Sequence, residues 1–205
     1  MRTEVLAADH PQALNRAHEV LRAGGLVAFP TDTVYGLGAE IGNPGAVAQL
    51  NQIKGRVEAK AIPVLAAGVD DLRHVAKPLP AMALRLAERF WPGPLTLVVW
   101  RLPALPREIS PFDTVGVRIP DHVMTLALLN QAGPLAVSSA NRAGGTNPLS
   151  PAEVLAALGG TFELLLDGGL APGGIPSTVV DCTQEAPFVL RQGPISAEAI
   201  TEAVA

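Results

Sequence analysis

An α/β domain with helices laid against a sheet is the fold class this sequence predicts, and three observations predict it. Short apolar runs of strand length alternate with longer segments of helical period from one end of the chain to the other. The 20 Gly and 19 Pro punctuate these segments and do not gather into one low-complexity tract. Hydrophobic residues make up 48% of the chain, and the mean hydropathy is +0.30, so a core can be buried. At 205 residues the length fits one domain spanning 1–205. With 5 Phe, 2 Trp and 1 Tyr, that core must be mostly aliphatic.

The elements follow in order. Pro11 to Ala23 reads as a short amphipathic helix through Leu14, Val20 and Leu21, stopped by Gly24-Gly25. Leu26 to Phe29 is a buried strand. Asn43-Pro44 opens a helix carrying Val47, Leu50 and Ile53, ended by Gly55. Ile62 to Ala66 is a further strand, and Pro63 argues against a central place for it. Pro80 to Phe90 is helical, and Trp91-Pro92-Gly93-Pro94 is a rigid turn. Leu95 to Trp100 and Val115 to Ile119 are strands. Asp121 is expected to cap a helix reaching Ala132, before a strand at Leu135 to Val137. Ser150-Pro151-Ala152-Glu153 is a capping box with Pro at the first helical position. Phe162 to Leu166, Thr178 to Asp181 and Phe188 to Arg191 are strands, and Ser196 caps a last helix. The strand order is not readable.

Charge and composition exclude several functions. The formal net charge is −4 and the pI about 5.5, which argues against a charge-driven nucleic-acid binder. It leaves room for a local basic pocket. The single Cys182 excludes an internal disulfide and a cysteine metal cluster. No apolar run approaches the ~18 residues of a membrane span, and the first residues lack a signal-peptide core. A cytoplasmic protein is expected. The segment Gly36-Leu37-Gly38-Ala39-Glu40-Ile41-Gly42 is a near miss of a dinucleotide loop and reads as a turn. His10, His18, His74 and His122 are scattered singly, as surface or capping residues are.

Four polar segments follow or flank apolar runs, where α/β domains place binding loops. Pro30-Thr31-Asp32-Thr33-Val34-Tyr35-Gly36 offers hydroxyls and a carboxylate for a small polar ligand; the plainer alternative is a turn that satisfies its own backbone. In Lys54-Gly55-Arg56-Val57-Glu58-Ala59-Lys60, an extended chain would put Lys54, Arg56 and Lys60 on one face to grip a polyphosphate. A helix C-terminus equally welcomes Lys54. Thr114, Gly116 and Arg118 share a strand face, on which Arg suits a carboxylate or phosphate; the alternative is a solvated edge. Ser138-Ser139-Ala140-Asn141-Arg142-Ala143-Gly144-Gly145 could cup an anion with backbone N–H groups, or be an ordinary polar loop.

Taken in order, these segments resemble the YrdC-type family, the threonylcarbamoyl-AMP synthases. The resemblance rests on Phe29 to Gly38, Lys54-x-Arg56 with Lys60, Trp91 to Thr96, Thr114 to Pro120, Ser139-Ala140-Asn141, Ser177 to Asp181 and Leu190 to Gly193. It implies an open twisted sheet with helices on its faces and a concave basic cavity. It also implies an activity: L-threonine, bicarbonate and ATP give threonylcarbamoyl-AMP and pyrophosphate, for threonylcarbamoyladenosine in tRNA. By the same resemblance Thr33, Arg118 and Ser177 hold threonine. Lys54, Arg56, Lys60, Thr114, Ser139, Asn141 and Arg191 line the nucleotide site; Asp32, by its own chemistry rather than by the resemblance, is a candidate for orienting Thr33 or water. The resemblance further implies magnesium on the phosphates, no metal held by the protein itself, a weak tRNA or RNA contact and downstream threonylcarbamoyl transferase partners. Longer members carry an extra C-terminal domain, and this chain looks like the minimal form. Three departures stand out: Val57 after Arg56, Ala61-Ile62 after Lys60, and Asn147-Pro148-Leu149 beyond the Asn141 loop. Two other readings are a paralogue acting on another carbamoyl adenylate, and an RNA-binding module.

Overall fold

The computed structural model describes residues 2–55 and 60–205. Six α-helices and ten strands alternate along them: β1 (Glu4–Ala7), α1 (Ala13–Arg22), β2 (Val27–Phe29), β3 (Gly36–Glu40), α2 (Pro44–Lys54), β4 (Val64–Leu65), α3 (Ala81–Phe90), β5 (Leu95–Trp100), β6 (Thr114–Arg118), α4 (Val123–Ala132), β7 (Leu135–Ser139), α5 (Pro151–Leu158), β8 (Leu164–Asp167), β9 (Thr178–Asp181), β10 (Phe188–Arg191) and α6 (Ala197–Val204). All ten strands join one mixed sheet in the order β1-β8-β2-β3-β7-β4-β6-β5-β9-β10. The α/β class expected from the sequence is the class observed.

Local chemistry sets the helix ends. Asn43 Oδ1 accepts from the Ala46 N–H, Pro44 takes the first turn, and Gly55 closes α2 in the left-handed region at φ 63°. Ser196 accepts from the Ala199 N–H to start α6. At α4 the expectation is corrected: His122, not Asp121, is the cap, its Nδ1 accepting from the Thr125 N–H. At α5 Ser150 caps as expected, but the Glu153 carboxylate reaches one residue further back, to the Leu149 N–H at 2.7 Å.

Three more corrections concern strands. Gly36 to Glu40 is not a turn but the interior strand β3, between β2 and β7. Pro63 does not push its strand to an edge. β4 lies between β6 and β7, and Pro63 stands just before it, where its carbonyl accepts from Val137 N–H at 2.9 Å and no donor is needed. β6 lies between β4 and β5, so Arg118 is not on a solvated edge. The sequence reading also missed β1 and a 3-10 turn at Val69–His74.

The two faces of the sheet are covered unequally, and this creates the site. One face sends Ala28, Leu37, Val64, Leu97, Val117 and Leu165 into the larger core, with α2, α3, α5 and α6 over it. The opposite face sends Val27, Phe29, Leu65, Leu135, Val137 and Leu164 into a smaller core under α1 and α4. That smaller core stops short of β6, β5, β9 and β10. The uncovered remainder of this face is where the polar residues collect. Cys182 is buried, and burial pushes its thiol up to about 12, so it is an inert packing residue.

Candidate functional site

Two joined cavities open on the uncovered face. The inner one, about 370 Å³, has Gly36, Gly116, Thr96, Arg118, Ser177 and Arg191 in its wall. The outer one, about 500 Å³, has Lys54, Asn141 and the 142–145 loop. Lys60, Ser139 and Asn147 line both. Strand register explains the inner wall. Val98 pairs with Gly116 and Thr96 with Val179, so all four share one face of the sheet. Gly116 keeps the floor open, because a Cβ there would stand 3.1 Å from Thr96 Cγ2.

The loop after β2 folds on its own hydroxyls. Thr31 Oγ1 accepts from the Thr33 and Val34 N–H groups and donates to the Val34 carbonyl at 2.7 Å. The loop therefore satisfies its own backbone, as the plainer reading expects, and Thr33 still lines the cavity. Arg118 locks onto it. Its Nη1 donates to Thr33 Oγ1 at 3.1 Å, its Nη2 to Asp32 Oδ1 at 2.5 Å, and its Nε to the Gly93 carbonyl at 3.0 Å. A guanidinium has five N–H groups, so two remain for a ligand. Arg118 is 6% exposed. Burial lowers its pKa, and Asp32 opposes that shift. Behind Asp32, burial holds His122 below its ordinary value despite the pull of Asp32 and Asp121.

Arg191 reaches the cavity through an irregularity in the sheet. Phe188 pairs with Asp181 and Val189 with Val180, but Arg191, not Leu190, pairs with Val179. The extra residue turns Arg191 onto the face of Val179, which lines the inner cavity. Its Nη2 donates to the Ser177 carbonyl at 2.8 Å and to Ser177 Oγ at 3.2 Å. Ser177 Oγ in turn meets Thr96 Oγ1 at 2.8 Å. Burial lowers the Arg191 pKa, and the Arg118 charge lowers it further.

A ten-residue connection after β8 closes this side. Tyr35 pins its start, the hydroxyl donating to the Gly169 carbonyl at 2.7 Å and accepting from the Gly168 N–H at 3.2 Å. Burial pushes that phenol up to about 12. Further along, Gly174 N–H bonds the Thr33 carbonyl at 2.9 Å. Gly173 is forced to be small, since a Cβ there would lie 2.5 Å from the Asp32 carbonyl oxygen.

The outer cavity is built around Lys54. Lys54 is the last residue of α2 and 3% exposed. Its Nζ donates to the Ser139 carbonyl at 2.5 Å and to Asn141 Oδ1 at 2.8 Å. Ser139 Oγ also donates to Asn141 Oδ1, at 2.6 Å, and Asn141 Nδ2 closes the loop on the Gly145 carbonyl. The extended-chain reading of 54–60 is thus corrected at Lys54, which is helical. Lys60 is exposed at the mouth shared by both cavities. Arg56 lies outside the described residues.

The structure brings together Thr33, Arg118, Ser177 and Arg191 in one cavity and Lys54, Ser139 and Asn141 in the next, with Lys60 between. Thr114 is not among them. It sits opposite Trp100, beyond Gly116 on the same face, and lines neither cavity. Thr96, Asn147 and the Gly93 carbonyl received no role from the sequence. Thr96 was legible, because it breaks the apolar run of β5 on the face shared with Val98. The Gly93 carbonyl left no signal. Among the described residues no group of three His, Cys, Asp or Glu could hold a metal ion, and no helix is long and apolar enough to cross a membrane.

Fold and site together define a single-sheet α/β domain with two joined, cation-lined cavities on its half-covered face. The chain belongs to the Sua5/YciO/YrdC family, whose model, described as "Telomere recombination", matches residues 19–193. It is 40% identical over 204 residues to the threonylcarbamoyl-AMP synthase of Bacillus subtilis (strain 168), covering 97% of this chain and 58% of that one. It is 38% identical over 205 residues to a putative threonylcarbamoyl-AMP synthase of Mycobacterium tuberculosis (strain ATCC 25618 / H37Rv), covering 98% of this chain and 94% of that protein. The crystal structure of P. abyssi Sua5 complexed with L-threonine superposes with a TM-score of 0.92 at 37% identity, over 100% of this chain and 60% of that one. The chain therefore spans little more than half the length of the Bacillus relative and the archaeal structure.

Proposed function

We propose that this chain is an L-threonylcarbamoyladenylate synthase, a nucleotidyltransferase that makes threonylcarbamoyl-AMP and pyrophosphate from L-threonine, bicarbonate and ATP. The observation that carries the reading is the joining of the two cavities through Lys60, Ser139 and Asn147. An amino acid in the arginine-lined inner cavity then lies beside a nucleotide whose phosphates occupy the outer one. The relatives named threonylcarbamoyl-AMP synthase support it.

The chemistry asks the protein mainly to position and to stabilise charge. Threonine's amine and bicarbonate give a carbamate and water. A carbamate oxygen attacks the α-phosphorus of ATP, and the bond to the β-phosphate oxygen breaks, releasing pyrophosphate. Arg118, Thr33 and Ser177 hold the amino acid. Lys54, Ser139 and Asn141 form the wall against the phosphates, and Lys60, Arg56 and Arg191 meet the charge that develops on the leaving group. Thr114 keeps a nucleotide role only for a part of the nucleotide extending past Gly116 toward Trp100. Magnesium carried on the triphosphate as part of the substrate would offset part of its charge. The product would pass to transferases that modify tRNA in the cytoplasm, with any direct RNA contact weak.

The test is pyrophosphate release, measured with each substrate omitted in turn. Release that requires threonine, bicarbonate and ATP together is expected. Release with another amino acid in preference to threonine would make the chain a paralogue of different substrate. Salt-dependent RNA binding without any turnover would replace the enzyme reading altogether.

A further inference from the structure

The uncovered face of the sheet continues past the inner cavity, and its rim carries an aromatic side chain with no role so far. Thr96 and Val98 of β5 line the inner cavity. Alternation along the strand puts Trp100 on that same face. Trp100 is 45% exposed, although its backbone is held: it pairs with Thr114 of β6, and its carbonyl accepts from the Lys77 N–H at 2.8 Å. Strand register ties this position to the junction of the two cavities. Ala136 of β7 pairs with Val64 of β4, and Val64 pairs with Val117 of β6. β7 and β6 run in opposite directions, so three residues forward on β7 and three back on β6 bring Ser139 and Thr114 to one height. A row therefore crosses the face from Ser139, which lines both cavities, past Thr114 to Trp100. From β7 to β5 is three strand spacings, about 14 Å.

The proposed reaction needs a place for the nucleoside, and this row is the place the fold leaves open. In-line displacement sets the attacking carbamate and the departing pyrophosphate on opposite sides of the α-phosphorus. With the amino acid in the inner cavity and the outer phosphates in the outer one, the nucleoside leaves that axis sideways. On the β3 side of Ser139 the way is filled by Asn147 and Pro148, the Pro148 carbonyl accepting from the Tyr35 N–H at 2.9 Å. On the β6 side the face is bare. We infer that Trp100 is the platform on which the base of the nucleotide stacks, with the ribose over Thr114 and the α-phosphate at Ser139. This deepens the proposed function and rests on it. A flat ring on a held strand loses little freedom when a base settles on it, and every base has a face to stack, so the platform adds affinity without choosing the base. Phe188, another exposed aromatic of this face, does not fit the role: it pairs with Asp181, so that carboxylate stands between it and β5.

The test compares ATP with inorganic triphosphate, which has the phosphates and no base, by calorimetry. Trp100→Ala should weaken ATP at least about fivefold, the lower end of what one stacked base contributes, and change triphosphate and L-threonine by less than about twofold. Trp100→Phe still offers a ring and should keep ATP within about threefold of the wild type. Phe188→Ala should leave all three ligands unchanged. Fluorescence gives a second reading, since the chain has two tryptophans and Trp91 is tied by its Nε1 to the Leu95 carbonyl at 2.7 Å. ATP should quench the wild-type emission, and the quenching should be lost in Trp100→Phe. ATP affinity indifferent to Trp100→Ala, an equal loss for triphosphate, an equal loss in Phe188→Ala, or quenching that survives in Trp100→Phe overturns the inference and leaves the proposed function standing. Where Trp100→Ala fails to fold by circular dichroism, the quenching comparison decides alone. A wild type that binds no ATP overturns the proposed function, and this inference with it.

Discussion

Arg118 shows how much a single side chain is asked to do and how little of that a sequence reveals. Its type and its strand face were legible, since Thr114, Gly116 and Arg118 alternate with Val115, Val117 and Ile119. Its partner was not, because Asp32 is 86 positions away and only the fold brings them together. Lys54 was legible as a cation at a helix C-terminus, but its buried amine reaching Ser139 and Asn141 was not, because that depends on how α2 docks. Arg118→Lys is expected to weaken threonine at least about tenfold while changing ATP affinity much less. A lysine cannot serve Gly93, Thr33 and Asp32 at fixed angles and still offer N–H groups to a ligand. Equal losses for both ligands, measured by calorimetry, would contradict the role. His122 carries a pH prediction. Its pKa is lowered from 6.5 by burial, so below that pH the unfolded chain takes up a proton the folded one resists. Its contribution to stability is present above its unfolded value and is lost as pH falls. Asn caps helices and does not titrate. The fall in melting temperature from about pH 7 to about pH 5 should therefore be smaller in His122→Asn than in the wild type.

At the scale of elements, β5, β9 and β10 were legible to the residue, and most helices to within two, because their caps and breakers are local. β3 was not, and the reason is packing. Gly36 and Gly38 look like turn residues, yet they are glycines because Phe29 and Val137 occupy the space above them. A Cβ on Gly36 would meet Val137 Cγ1 at 2.6 Å. Gly36→Ala should accordingly destabilise the fold by about 1–3 kcal/mol, the usual cost of overpacking, read from denaturant unfolding. A loss near zero would mean that β3 has slack the packing does not show. The cap of α5 tests the helix reading: Ser150→Ala should cost about 1 kcal/mol, and no measurable change would show that the Glu153 bond to Leu149 suffices alone. The irregularity at Leu190 was also hidden, since a strand pattern says nothing of where an extra residue slips the register. Without it Arg191 would alternate toward the core side with Val180.

For the whole molecule, the alternation of helices and strands announced an α/β domain, but nothing local announced how the sheet is ordered. Strands distant in sequence, such as β1 and β8 or β3 and β7, become neighbours. That order decides function, because it leaves α1 and α4 covering one end of a face and exposes the other. Joined cavities on the exposed end are what would let an amino acid and a nucleotide meet in the proposed reaction. The central claim is that they meet to form a carbamoyl adenylate, and isotope transfer tests it most directly. The protein is incubated with L-threonine, ATP and ¹³C-bicarbonate, and the quenched mixture is read by mass spectrometry. An adenylate with the mass of threonylcarbamoyl-AMP, carrying the label and absent without threonine, is the expected result. Pyrophosphate released with no labelled adenylate, or a threonyl adenylate lacking the bicarbonate carbon, would contradict it.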